Sequence, residues 1–183
     1  MKRKTALILT LCLCFAAGTG LASSPVATER IRFDSAGLSL ALPLDWMYMD
    51  LTEQFLAQQD TISVDGVDLV LTAYVMMANN AGNITVTMVV VENTEDMDAD
   101  AEMRGIIASY GEAGLVRVVS GVPYFIFPYE GDGIGAVCYT EDSMITLHAY
   151  LQDEENQPES VVSAFTAQFE SILSTMKFFE VAK

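Results

Sequence analysis

The stretch VDLVLTAYVMMANNAGNITVTMVVV, Val67 to Val91, decides the fold. Val67 to Met77 and Ile84 to Val91 are long runs rich in β-branched residues, which sit well on a pleated surface and crowd a helix. Between them, Asn79-Asn80-Ala81-Gly82-Asn83 supplies the side chains that tolerate tight turns. The stretch predicts an antiparallel hairpin, and the remaining segments are read as what packs with it.

C-terminal to the hairpin, Asp96 to Asp100 provides acids for the start of a helix over about 98–110. Met103, Ile106, Ile107 and Tyr110 recur at core spacing, and Gly111 and Gly114 close the helix. Four strand-like runs follow at 115–120, 124–127, 134–140 and 144–151, separated by turn-forming residues. A last helix starts near Pro158 and carries one apolar stripe of Val161, Val162, Phe165, Phe169, Ile172, Leu173 and Met176. Glu170 falls outside that stripe, on the solvent side.

N-terminal to the hairpin, Ile31 to Phe33 and Leu38 to Leu42 flank the turn Asp34-Ser35-Ala36-Gly37. Trp46 to Met49 forms another short extended piece. Asp50 and Glu53 have capping-box spacing ahead of a short helix over about 51–59, with Phe55 and Leu56 inward. Three helices amid seven or eight hairpin-linked strands imply an α+β fold: an antiparallel sheet of about seven strands flanked by about three helices.

The first 22 residues read as a secretory signal peptide. Lys2, Arg3 and Lys4 precede an uncharged run from Ala6 to Ala17, and Gly20 and Ala22 are small residues suited to cleavage. The strongly apolar part is shorter than the roughly 20 residues a spanning helix needs. The expected organisation is a signal peptide over 1–22, a flexible lead over 23–30 and one α+β domain over 31–180. Its expected location is extracellular or in the cell envelope.

Removal of the signal leaves 161 of the 183 residues, with six basic against 25 acidic side chains and a formal charge of −19. Such a chain is unsuited to nucleic acid or to electrostatic docking on an anionic membrane, both of which need Lys and Arg. The charge favours solubility and permits a cationic partner. Of three cysteines only Cys138 remains, so no internal disulfide is expected.

The order of the pieces resembles a family. Pro43-Leu44-Asp45-Trp46 after a strand, Val119-Ser120-Gly121-Val122-Pro123-Tyr124 as a hairpin into an aromatic strand, and the ending Phe169 to Phe178 are similar to PsbP-like and DcrB-like domains. The likeness spans about 31–179, and Asp60 to Val91 matches no quoted motif of the family. It implies a central antiparallel sheet between helices and a binding or assembly role, with no shared catalytic set.

Enzymatic signatures are sparse. The chain has no G-x-S-x-G, no H-E-x-x-H and no P-loop. His148 is the single histidine and lies on a strand with Thr146 and Tyr150 on its side, where a solvent-facing or hydrogen-bonded role is expected. Cys138 reads as a small buried apolar residue, Trp46 as a core anchor, and Gly131-Asp132-Gly133-Ile134-Gly135 as a turn. Asp96, Asp98 and Asp100 alternate as an EF-hand loop begins, but Ala101 and Ile107 replace its glycine and glutamate, leaving a weak calcium candidate. No other cofactor is expected. Met47 and Met49 alternate, with Met76 and Met77 elsewhere in the chain; thioethers bind copper(I), although methionine more often fills cores.

The preferred expectation is a secreted, non-catalytic binding or assembly domain with an unknown protein or envelope partner. One alternative is an extracellular hydrolase using carboxylates from Asp45, Asp96, Asp98, Glu130 or Asp132. The other is a calcium-stabilised envelope protein.

Overall fold

A computed structural model of the chain describes residues 30–58, 61–64, 67–92, 98–129, 133–153 and 156–180. The signal peptide, most of the flexible lead, and Asp96, Glu130 and Asp132 lie outside the described residues.

The hairpin at 67–91 supplies two neighbouring strands of the large sheet. Strand β5 (Val67–Asn79) pairs antiparallel with β6 (Ile84–Glu92), Met76 opposite Thr87 and Tyr74 opposite Val89. The turn is held by Asn79, whose side-chain oxygen accepts from the N–H groups of Asn83 and Ile84. Gly82 there has φ +70°, the region glycine enters without a side-chain clash.

Outward from the hairpin run β3 (Trp46–Asp50) on one side and, on the other, β10 (Ser143–Leu151), β9 (Gly133–Tyr139), β8 (Val122–Tyr129) and β7 (Leu115–Val119). The order across the large sheet is β3-β5-β6-β10-β9-β8-β7, every pairing antiparallel. A further strand, β4 (Thr61–Val64), pairs with the start of β5. Sequence reading missed it.

A second sheet of three short strands joins β1 (Ile31–Phe33), β2 (Leu38–Leu40) and β11 (Lys177–Phe178). It joins the 31–40 segment to the residues that follow α3. The Thr175 hydroxyl donates to the Ala41 carbonyl and accepts from the Ala41 N–H.

Three α-helices complete the fold: α1 (Thr52–Leu56), α2 (Ala99–Tyr110) and α3 (Glu159–Ser174). Helix α1 is shorter than expected, and Asp50 is no capping-box residue. Asp50 ends β3, and its carboxylate accepts from the Thr52 N–H and hydroxyl. Asp98 does cap α2, accepting from the Ala101 N–H.

Strand alternation divides the large sheet into two faces. Ile145, Leu147, Cys138, Tyr124 and Trp46 lie on the first, which α3 covers. Phe165, Phe169, Ile172, Leu173 and Met176 of the C-terminal stripe are buried there, and the Tyr124 hydroxyl reaches Met176 Sδ at 3.5 Å. Val161 and Val162, in the first turn of α3, are only half-buried. On the second face, α2 covers Phe125 and Phe127 through Tyr110, with ring centroids 5.8 and 4.5 Å apart. Helix α1 covers Tyr74 through Phe55, 5.6 Å between centroids. No helix of the described residues is long and apolar enough to cross a membrane.

Candidate functional site

Two features stand out once the faces are assigned. The first is the β7 edge. Leu115-Val116-Arg117-Val118-Val119 would normally be read as an interior strand, yet its first four residues are exposed. Leu115 is 42 %, Val116 45 % and Val118 69 % accessible. Among the described residues β7 pairs with β8 alone, so its outer row of backbone groups has no strand beside it.

This edge is held in place from three sides. Ser120 and Gly121 both take positive φ, 51° and 85°, giving the two-residue turn whose twist matches a β7–β8 hairpin. The Ser120 hydroxyl donates to the Met176 carbonyl at 2.6 Å, tying the turn to the end of α3. At the other end Gly114 lies so close to β8 that a Cβ would stand 2.2 Å from the Phe125 ring. Arg117 Nε lies 3.7 Å from Glu170 on α3. Glu170 is thus half-buried and paired, in contrast to the solvent-facing position its spacing predicts.

The second feature is a row of side chains on the second face that starts at the β3 edge and runs inward to β9. Cross-strand register places Met49 opposite Met76, Met76 opposite Thr87, Thr87 opposite His148 and His148 opposite Gly135. The methionines separated in sequence come together here, except Met77, which alternates to the first face and is buried. Gly135 is not part of a turn. It is a strand residue under the Phe127 ring, where a Cβ would come within 2.6 Å of the ring.

His148 is 1 % exposed, which corrects the expected solvent-facing role. Its ring stacks on Tyr129 at 4.7 Å, and Nδ1 has no hydrogen-bond partner among the described residues. Thr146 Oγ1 beside it also has none. Burial lowers the imidazole pKa to about 4, so His148 is neutral at pH 7. A general base works best with a pKa near the operating pH, and burial holds this one well below it.

Cys138 is buried on the first face, and burial pushes its thiol up to about 12, away from the thiolate a nucleophile needs. Trp46 is the core anchor expected. Asp45 is exposed in the turn beside Asn80, at the end of the sheet where β5 turns into β6. Asp98 caps α2, one turn before Glu102, whose charge acts on Tyr139 at the end of β9. The two described carboxylates of the hydrolase reading are therefore not brought together. Asp98 and Asp100 sit exposed at the start of α2, and no group of three or more His, Cys, Asp or Glu side chains is placed to hold a metal among the described residues.

No protein-family model matches the chain, and no curated protein matches it.

Proposed function

We propose that the chain is an exported, non-catalytic binding domain that captures an extended segment of a partner protein along β7. The observation behind this reading is the exposed apolar edge at Leu115, Val116 and Val118. Edge strands in soluble proteins are usually shielded by lysine, proline, a bulge or a covering element. β7 has one arginine, and that arginine is paired to Glu170. An added strand would gain main-chain hydrogen bonds, while alternate side chains meet Val116 and Val118 on one face and Leu115 on the other.

Charge selects the chemistry of the partner. The −19 left after signal removal disfavours an acidic segment and a second copy of the chain, and favours a segment alternating apolar and basic residues. The N-terminal pattern at 1–22 supports export, and the PsbP-like resemblance supports a binding role.

Two sets of extended peptides, alternating Val with Lys or Val with Glu, test the proposal. The lysine set is expected to bind and to protect β7 amides from hydrogen exchange. Val118→Glu should remove that binding and leave the fold intact. Equal binding of both sets, or protection elsewhere with β7 unprotected, overturns the reading.

A further inference from the structure

We infer that Met47, Met49 and Met76 form a thioether site for a soft monovalent cation, copper(I) or its redox-silent analogue silver(I). The inference is independent of the β7 edge and rests on how the chain distributes its methionines. Eight of the ten lie among the described residues. Met77, Met88, Met103, Met144 and Met176 are buried, as expected where methionine fills irregular gaps in a core. The other three are half-buried. All three occupy neighbouring positions on one face of β3 and β5.

Register defines the triangle. Met49 is the direct cross-strand partner of Met76, and Met47 is opposite Ala78, two residues further along the same face. Direct partners have Cβ atoms about 4.5–5.5 Å apart and diagonal neighbours about 7–8 Å. Each side chain has three rotatable bonds, so the three sulfurs can converge above the sheet. Helix α1 covers the adjacent Tyr74 but leaves Met76 accessible.

The donor set selects the ion. Thioethers are soft ligands that favour copper(I), whereas calcium, magnesium and manganese require oxygen donors. Asp50, the acid of β3, alternates to the opposite face from Met47 and Met49. Cys138 is buried on that opposite face as well, so the site offers three neutral sulfurs without a thiolate. The chain's negative charge raises the local concentration of any cation. His148 lies two strands inward from Met76 in the same row, roughly 10 Å away by strand spacing, and is outside the ligand set.

The test uses the exported chain labelled with carbon-13 at the methionine methyls and titrated with silver(I) in chloride-free buffer. One equivalent should move the Met47, Met49 and Met76 methyl signals and leave the five buried methionines in place. Competition with a chromophoric copper(I) chelator under reducing conditions should give the same stoichiometry. Met49→Leu and Met76→Leu preserve volume, and each should weaken silver(I) binding at least about tenfold, a loss that even outer-shell changes at metal sites produce. Unmoved signals at one equivalent, or binding unaffected by both substitutions, overturns the inference.

Discussion

β3 and β7 end the same antiparallel sheet, and they treat their side chains differently. Trp46 at the start of β3 is 1 % exposed, whereas Val118 of β7 is 69 % exposed. The reason lies in what packs on each end of the sheet. Trp46 points to the first face, which α3 covers, and the second face beside β3 is covered by α1, where the Leu51 N–H donates to the Tyr74 carbonyl and Phe55 packs on Tyr74. β7 runs into a tight turn and back along β8, and among the described residues no strand lies along its outer side. An apolar strand is therefore buried or exposed according to what the rest of the chain lays on it, and composition alone does not tell the two edges apart.

The largest expected effect is at the anchored edge. Trp46→Ala removes a fully buried aromatic, a class of change that costs about 3–5 kcal/mol. Domains of this size have about 5–15 kcal/mol of stability in total. Urea unfolding should show a clearly lowered midpoint for Trp46→Ala. Val118→Ala, at the open edge, should change stability by less than about 0.5 kcal/mol. Similar losses at the two positions would mean that β7 is covered in solution, and the contrast between the edges would fail.

A second, smaller effect comes from the row that leads inward from β3. His148 titrates near 4 in the folded chain and near 6.5 when unfolded. Its folded pKa is the lower one, so the unfolded chain takes up the proton first. Stability should be flat above about pH 6.5 and fall as the pH drops toward 4, by an amount on the order of 3 kcal/mol. His148→Gln stays neutral and should lose most of that pH dependence. Urea midpoints for both proteins at pH 7.5 and 4.5 measure the difference. An equal loss in both would assign the acid sensitivity to other groups.

How much of the structure was legible in the sequence depends on the range of each interaction. The hairpin at 67–91, the start of α2 among the acids near Asp98 and the C-terminal stripe from Phe165 to Met176 depend on local pattern, and each is present. Burial of Cys138 and Trp46 was legible too, since both sit in apolar runs. The candidate surfaces were not. Met49 and Met76 meet only because of the register of β3 on β5, which no periodicity encodes. His148 alternates with apolar residues as a half-exposed strand would. It is nevertheless buried, because Tyr129 reaches it from β8, two strands away across β9. β4 was missed although its four residues, Thr61-Ile62-Ser63-Val64, alternate polar and apolar side chains.

The smallest expected effect tests what holds the open edge. Arg117 and Glu170 are the one described ion pair between β7 and α3, at 3.7 Å, with side chains 56 % and 38 % exposed. Exposed pairs of this kind contribute about 0–1 kcal/mol, since solvent screens the charges and ordering two long side chains costs entropy. Glu170→Ala should therefore change stability by less than about 0.5 kcal/mol. The edge should stay in place through the Ser120 bond to Met176 and the close approach of Gly114 to Phe125. Hydrogen exchange at the β7 amides of Glu170→Ala should match that of the parent chain. A marked loss of protection there, with α3 unchanged, would show that the pair, and not the turn and the glycine, keeps β7 on the sheet.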